Sequence, residues 1–314
     1  MPALSASAPG KVILFGEHAV VYGQPAIAVP VTHVQAKAIV TANPRGTAGS
    51  VHIQAPDIDL DCYLRDLAPE NPLAKAINGV LTSLSIEHPP AFNLRVTSSI
   101  PLASGMGSGA AISVAVIRVV AAFLGRQLPD EQVSALTYEV EKIYHGTPSG
   151  IDNTVVTYAM PVYFIKGQPI QTFAVNRPFT IVIGNTGVRS PTSVAVGDVR
   201  KNWQADPASF EALFAQIGEI AQQARLAIEA GQIEALGPLM DENHKLLQAL
   251  TVSSPELDQL VDAARQAGAL GAKLSGGGRG GNMIALADAA NAQAIVQALI
   301  DAGATGTITT AVGS

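Results

Sequence analysis

The chain has 314 residues; 48% are hydrophobic and 14% charged, against a usual charged share of about 25%. That composition excludes a disordered chain and implies a large core, and the length points to about two domains. Nineteen basic against 25 acidic residues leave a net charge of −6, and no basic run exceeds Arg200-Lys201, which argues against a nucleic-acid surface.

The opening MPALSASAPGKVILFGEH has no basic start, and Lys11 and Glu17 break its apolar stretch, so no secretory signal is expected. Residues 11–15 (KVILF) and 26–42 predict strands by their Val, Ile and alternating apolar positions, as do 51–55 and 91–98. Cys62, the one cysteine, permits neither an intramolecular disulfide nor a cysteine-built metal site and fits a reducing compartment. Residues 72–84 predict a helix with Pro72 near its first turn. Residues 108–124 predict a buried helix opened by a glycine-rich loop. Its apolar run from Ala110 to Leu124 is interrupted by Arg118 and is too short to cross a bilayer. A soluble cytoplasmic protein is expected.

Residues 130–145 predict an amphipathic helix with Asp130 as N-cap. Val133, Leu136, Val140 and Ile143 share one face; Ser134, Thr137, Glu141 and His145 share another. Residues 154–164 and 179–184 predict strands. The texture then changes: 207–230, 232–250 and 255–267 are helical by period, punctuated by Gly231 and Pro255. MIAL at 283–286, a helix from about 288 to 302 and TGTITTAV close the chain. A soft boundary near 165–178 separates an N-terminal domain, 1–170, from a C-terminal one, 171–314. There is no internal repeat.

Three glycine-rich segments flank these elements. In Pro9-Gly10-Lys11, Lys11 opens an apolar strand, where an ammonium wants an anion or a carboxylate; a solvated flank is the plainer reading. Glu17 and His18 follow in a tight turn between Gly16 and Gly23. The second segment, Pro101 to Ala111 (PLASGMGSGAA), follows a strand and opens a helix, a geometry that aims backbone N–H groups at a phosphate. It also fits G-x-G-x-x-A, but another helix follows where a dinucleotide fold needs a strand, and no Walker P-loop is present. The third, Lys273 to Asn282, has five glycines in six positions, with a helix before and a strand after, and reads as a conformationally special loop. In HGTPSGIDN (145–153), Asp152 follows a Pro/Gly turn and precedes an apolar strand. A carboxylate there is placed to take a proton from a hydroxyl, or simply caps a turn. Glu141 and His145, one turn apart, leave a metal pair open beside a capping role. Were these segments to converge, they would assemble a phosphate cradle, a lysine, a carboxylate for a hard cation and a base beside a hydroxyl, the parts needed for phosphoryl transfer.

The run PGKVILFGEHAVVYGQPAIA resembles the opening motif of the mevalonate kinases, and PLASGMGSGAA is similar to the phosphate loop of the wider GHMP kinases. HGTPSGIDN and GAKLSGGGRGGNMIAL resemble the remaining motifs, in the expected order over residues 7 to 286. The resemblance implies a two-domain α+β GHMP kinase fold with the active site in the interdomain cleft. It implies transfer of phosphate from ATP, with Mg²⁺, to the C5 hydroxyl of (R)-mevalonate, in isoprenoid biosynthesis. A sister kinase for phosphomevalonate, homoserine or a sugar, or a non-catalytic nucleotide-binding homologue, is the alternative. It further implies Asp152 as catalytic base and Lys11 as the group that activates the hydroxyl and steadies its developing charge. Glu141, with Ser108, would bind magnesium. Pro101, Ser104, Gly105, Met106, Gly107, Ser108, Gly109, Ala110 and Ala111 would hold the nucleotide. Glu17, His18, Gly150, Asp152, Thr192 and Arg189 would lie at the substrate. No nucleic-acid or membrane partner is implied, and a homodimer is allowed.

Three departures accompany the resemblance. Gly109 stands where the family loop carries a second serine that contacts magnesium, which implies that Ser108 or a water substitutes or that metal binding is weaker. Arg279 replaces a glycine or small residue and would reach a phosphate or point to solvent, and Asn282 stands where cysteine is common. Arg189 lies one position off the family arginine that holds the mevalonate carboxylate.

Overall fold

The computed structural model describes residues 3–101, 104–146 and 148–313, with only the backbone of Tyr144 and His145. It divides into two compact units. The first comprises Met1–Gly10, Val34–Leu102 and Met106–Ala159; the second comprises Lys11–His33, Ala103–Gly105 and Met160–Ser314. Residues 11–33 thus group with the C-terminal half, because two long strands, β1 (Leu4–Phe15) and β2 (Ala26–Ala42), are each cut within their length. Lys11 was expected at a strand start; it lies eight positions into β1, where it is buried.

In the first unit, β3 (Val51–Ala55), β4 (Leu60–Tyr63) and β5 (Phe92–Ser98) build a sheet with the end of β2, in the order β4-β3-β5-β2. Ala36 to Ala42 pair antiparallel with Ser98 to Phe92, and β3 runs parallel to β5. Helices α1 (Pro72–Ser83), α2 (Ser108–Phe123), α3 (Asp130–His145) and α4 (Ile151–Tyr158) pack against one another, and α2 also packs against β5. Asn71 caps α1, its side chain accepting from the Leu73 and Ala74 amides. That satisfies two of the donors a helix start leaves over. Helix α2 is apolar almost all round, as a helix enclosed on every side must be, and ten of its residues are buried.

Two expectations fail here. Asp130 does not cap α3: Pro129 does, with φ −65°, and Asp130 takes the first helical position. There its carboxylate favours the positive helix end and meets Arg118 at 2.7 Å. The strand expected over 154–164 is instead α4 followed by a three-residue strand. Gly150 turns the chain with φ 89°, Thr154 Oγ1 donates back to the Gly150 carbonyl at 2.7 Å, and α2 and α3 cover the β-branched side chains. Tertiary burial overrides strand propensity in that short stretch.

In the second unit, Ala26 to Ala28 of β2 pair with β6 (Val162–Phe164), which pairs with β7 (Gln171–Thr172). Then come β8 (Phe179–Asn185), α5 (Thr192–Ala205), α6 (Pro207–Ala230), α7 (Leu236–Ala249), α8 (Pro255–Gln266), β9 (Gly271–Ser275), β10 (Asn282–Ala287), α9 (Ala292–Asp301) and β11 (Gly306–Val312). The four last strands form an antiparallel sheet ordered β11-β8-β10-β9. A strand, not a helix, therefore precedes the third glycine segment, which is the loop of the β9–β10 hairpin. Helix α7 lies against β9 at glycines on both sides: a Cβ at Gly237 would stand 2.1 Å from the Leu270 carbonyl, and one at Gly271 2.1 Å from that of Gly237. Among the described residues no helix is long and apolar enough to cross a membrane.

His244 on α7 is buried under β9. Its Nδ1 accepts from the Leu274 amide at 3.3 Å, and its Nε2 donates to Asp258 at 3.1 Å. Burial outweighs the Asp258 charge and lowers its pKa from 6.5 to about 4. The unfolded chain then binds the extra proton first, so this group's stabilisation is complete above pH 6.5 and is lost as pH falls from 6.5 toward 4. We expect up to about 3 kcal/mol of lost stability over that window, read as a falling urea midpoint; His244→Gln should flatten the dependence.

Candidate active site

The first glycine turn is built by conformation. Gly16, at φ 95°, is irreplaceable because a Cβ there would sit 2.4 Å from the Pro25 carbonyl. His18 follows with φ 60°, unusual for a residue with a side chain, and a short 3₁₀ turn, Ala19–Tyr22, ends at left-handed Gly23. Both polar side chains of this turn are buried. Glu17 forms an ion pair with Lys273 of β9. Burial pushes the Glu17 carboxyl up, opposed by the Lys273 charge, and pushes the Lys273 ammonium down. His18 Nε2 donates to the Gly277 carbonyl at 3.0 Å, which leaves Nδ1 an acceptor, buried and with no partner among the described residues. Burial lowers the pKa of this imidazole, keeping it neutral.

The hairpin loop after β9 meets that turn. Ser275 Oγ donates to the Ile13 carbonyl at 2.7 Å. Gly278, at φ 75°, approaches Val252 so closely that a Cβ would lie 1.9 Å from its carbonyl oxygen. Arg279, expected to reach a phosphate or point to solvent, pairs with Asp198 on α5 and donates to the Thr251 carbonyl, with its side chain 29% exposed. Asn282 donates to the Ser104 carbonyl at 2.7 Å and accepts from Asn185. A cavity of about 80 Å³ is lined by Val12, Ser104, Gly105, Ser190, Thr192 and glycines of this loop. That is space for a small polar group, well below a whole-ligand pocket. Thr192, at the start of α5, touches the loop at Gly277. Arg189 is exposed and does not line the cavity.

The second glycine loop divides its labour between side chain and backbone. Leu102 and Ala103 lie outside the described residues; Pro101 and Gly105 are exposed, and Ser104 is half-buried. Met106, Ala110 and Ala111 are buried, so they anchor the loop through their side chains and offer a ligand only backbone. Gly107 caps α2 at φ 70° with no side-chain hydrogen bond. The amides of Ser108, Gly109 and Ala110 therefore point outward from the positive helix end.

Helices α3 and α4 carry the carboxylates. Ser134, Thr137 and Glu141 are buried like the apolar face beside them, because α4 packs there. Asn153 holds the two helices together, its Nδ2 donating to Ser134 Oγ at 2.8 Å and to the Ser134 carbonyl at 3.3 Å. Asp152, half-buried, stands one residue earlier in the first turn of α4, with buried Gly150 before it. Glu141 lies two turns along α3 from Ser134, on the same face. The His145 side chain and Thr147 lie outside the described residues. Among those described, no cluster of three or more His, Cys, Asp or Glu side chains forms a metal cage. One buried carboxylate, Glu141, and one hydroxyl, Ser108 at the head of α2, are oxygen donors. Oxygen donors of this kind are the ones magnesium takes, alongside waters and phosphate oxygens.

The GHMP kinases N terminal domain matches residues 71–160, and the GHMP kinases C terminal domain matches 224–305. Mevalonate kinase of Thermococcus sibiricus is 38% identical over 296 residues, covering 90% of this chain and 88% of that one. The chain belongs to the mevalonate kinase branch of the GHMP kinases. Within it, L. major mevalonate kinase, solved in complex with R-mevalonate, superposes with a TM-score of 0.84 at 32% identity, over 98% of this chain and 95% of the other. Streptococcus pneumoniae phosphomevalonate kinase, at a TM-score of 0.78 but 18% identity over 98% and 99% of the two chains, shares the fold alone. For this GHMP kinase, Lys273 and Asn153 are the residues that motif reading passed over. The first sat in a segment read as loop; the second was quoted only as the end of a motif.

Proposed function

We infer that this chain transfers the γ-phosphoryl group of ATP to the C5 primary hydroxyl of (R)-mevalonate, giving 5-phosphomevalonate and ADP. Its 38% identity to a mevalonate kinase over nine-tenths of the chain carries the reading. The hydroxyl oxygen bonds to the γ-phosphorus as the bridging bond to ADP breaks, and the hydroxyl proton passes to Asp152. Lys11, buried in β1, supplies positive charge to the developing alkoxide. The amides of residues 105–111 hold the phosphates, with Pro101 and Ser104 at the mouth of the loop. Glu141 and Ser108 would hold Mg²⁺, which when bound neutralises phosphate charge. His18, through its unpartnered Nδ1, and Thr192 face the substrate, with Gly150, Glu17 and Arg189 near it. The nucleotide and most substrate contacts fall to residues 1–170, and 171–314 add Thr192 and Arg189 and support. A cytoplasmic location suits a substrate pair of ATP and a small acid.

A substrate panel read by ADP release tests this reading. Mevalonate should be turned over, and homoserine, galactose and phosphomevalonate should not; preference for one of those three would overturn it. Gly109, the second residue of α2, leaves the nucleotide loop one hydroxyl short. Gly109→Ser is therefore expected to lower the Mg²⁺ concentration for half-maximal rate about threefold to tenfold, with KM for mevalonate changed less than twofold. Magnesium titration of both forms checks it.

A further inference from the structure

Lys273 is a chemical anomaly in its surroundings. It sits in the middle of β9, paired in register with Ile284, and its side chain is 0% exposed. Its ammonium reaches two acceptors, the Glu17 carboxylate and the Leu274 carbonyl at 2.7 Å, and it lies 5.9 Å from the Phe15 ring centre. Glu17 is 1% exposed, and its Oε2 is buried with no hydrogen-bond partner among the described residues. A pair so completely removed from water is no net source of stability: well-packed apolar residues in its place are often neutral or better. Its retention calls for another reason, and the neighbouring bonds supply one. The residue after Glu17 is His18, held at a positive φ of 60° while it donates to Gly277; two residues after Lys273 is Ser275, which donates to Ile13. The ion pair is thus one of three ties between the stretch from Ile13 to His18 and the stretch from Lys273 to Gly277. It is also the one tie with charge on both sides, and so the one whose loss leaves a buried ion.

We propose that Lys273 is a positioning residue for substrate binding: through Glu17 it fixes the turn that presents His18, so Glu17 serves the substrate by holding the turn. This rests on the reading of His18 as a mevalonate contact. Lys273 touches no reacting atom. Its removal should misplace the imidazole acceptor by the small displacement that costs binding and orientation, while the phosphate loop at 105–111 keeps its own anchors in Met106, Ala110 and Ala111.

The test uses Lys273→Met, Glu17→Gln and the double variant. Each single variant strands a buried polar partner and should lower Tm. The double variant removes both charges at nearly constant volume and should recover most of that Tm. It should nevertheless raise KM for mevalonate about tenfold or more, with KM for ATP within twofold, a split that a general loss of structure does not produce. The His18 ring resonances, assigned by NMR through His18→Gln, give a readout independent of turnover. They should show a fixed Nε2–H tautomer in the wild type and an averaged ring in the double variant. An unmoved mevalonate KM together with an unchanged His18 ring in a stable double variant would overturn the proposal. Failure of the wild type itself to phosphorylate mevalonate would instead overturn the functional reading, and the ring signals would still decide whether Lys273 positions His18.

Discussion

Asp152→Asn is expected to fold, to bind ATP as the wild type does, and to lose about 10³-fold in kcat. The magnitude follows from removing a proton acceptor placed at the reacting hydroxyl, worth about 10²–10⁴ in rate. The fold should be indifferent to the change. Asp152 is half-buried in the first turn of α4. The clamp that seats this helix belongs to its neighbour Asn153, whose amide bonds Ser134 twice. Asn is the same size and still accepts a hydrogen bond at a helix start, so Tm should move by no more than a degree or two. ATP affinity, measured by calorimetry, should stay within twofold. A kcat within tenfold of the wild type would remove Asp152 from the role of base. A lost nucleotide affinity would show that the substitution had disturbed more than proton transfer.

Gly278→Ala is expected to have the largest effect on the fold of any single methyl group in the hairpin loop. The residue needs φ 75°, and a Cβ there would overlap the Val252 carbonyl oxygen at 1.9 Å. That same carbonyl accepts the Arg279 amide at 2.8 Å, so it cannot retreat without breaking the bond that follows. Left-handed strain costs about 1–3 kcal/mol, and backbone overlap costs a similar amount. We expect about 4 kcal/mol, or a Tm lowered by about 10 °C. Gly276→Ala is the control within the same loop. Its φ of 90° carries the same strain, but nothing lies within 4 Å of the added methyl, so it should lose only about 1 kcal/mol. Equal losses at the two positions would mean that conformation alone, and not the approach to Val252, shapes the loop.

The elements with the clearest periodicity were the ones readable in advance. β2, α1, α3 and α6 lie within a residue or two of the expected bounds, because each buries one regular face and ends at a glycine, a proline or a change in polarity. α4 was misread because Ile151, Val155, Val156 and Thr157 are strand formers in isolation, and nothing local announces that two other helices cover them. β4 escaped notice because four residues at a sheet edge carry too short a pattern. Lys273 to Ser275 open the third glycine segment, whose composition is that of a turn, yet all three are buried in β9. Within the site, glycine spacing located the turns at 16–23, 105–111 and 276–281, since a left-handed φ leaves a mark in composition. The partners of those turns left no such mark. Glu17 and Lys273 stand 256 positions apart, and Arg279 and Asp198 stand 81 apart. Charge pairing across such separations is decided by packing, which motif spacing does not encode.

Phosphorus NMR of the product formed by the purified chain from ATP, Mg²⁺ and (R)-mevalonate tests the central claim most directly, because the substrate offers both a primary C5 hydroxyl and a tertiary C3 hydroxyl. Transfer to C5 predicts one new phosphate monoester signal, split by the two protons of the adjacent methylene, growing in step with ADP. A monoester signal without proton splitting, or ADP release with no new phosphate ester, would contradict the account.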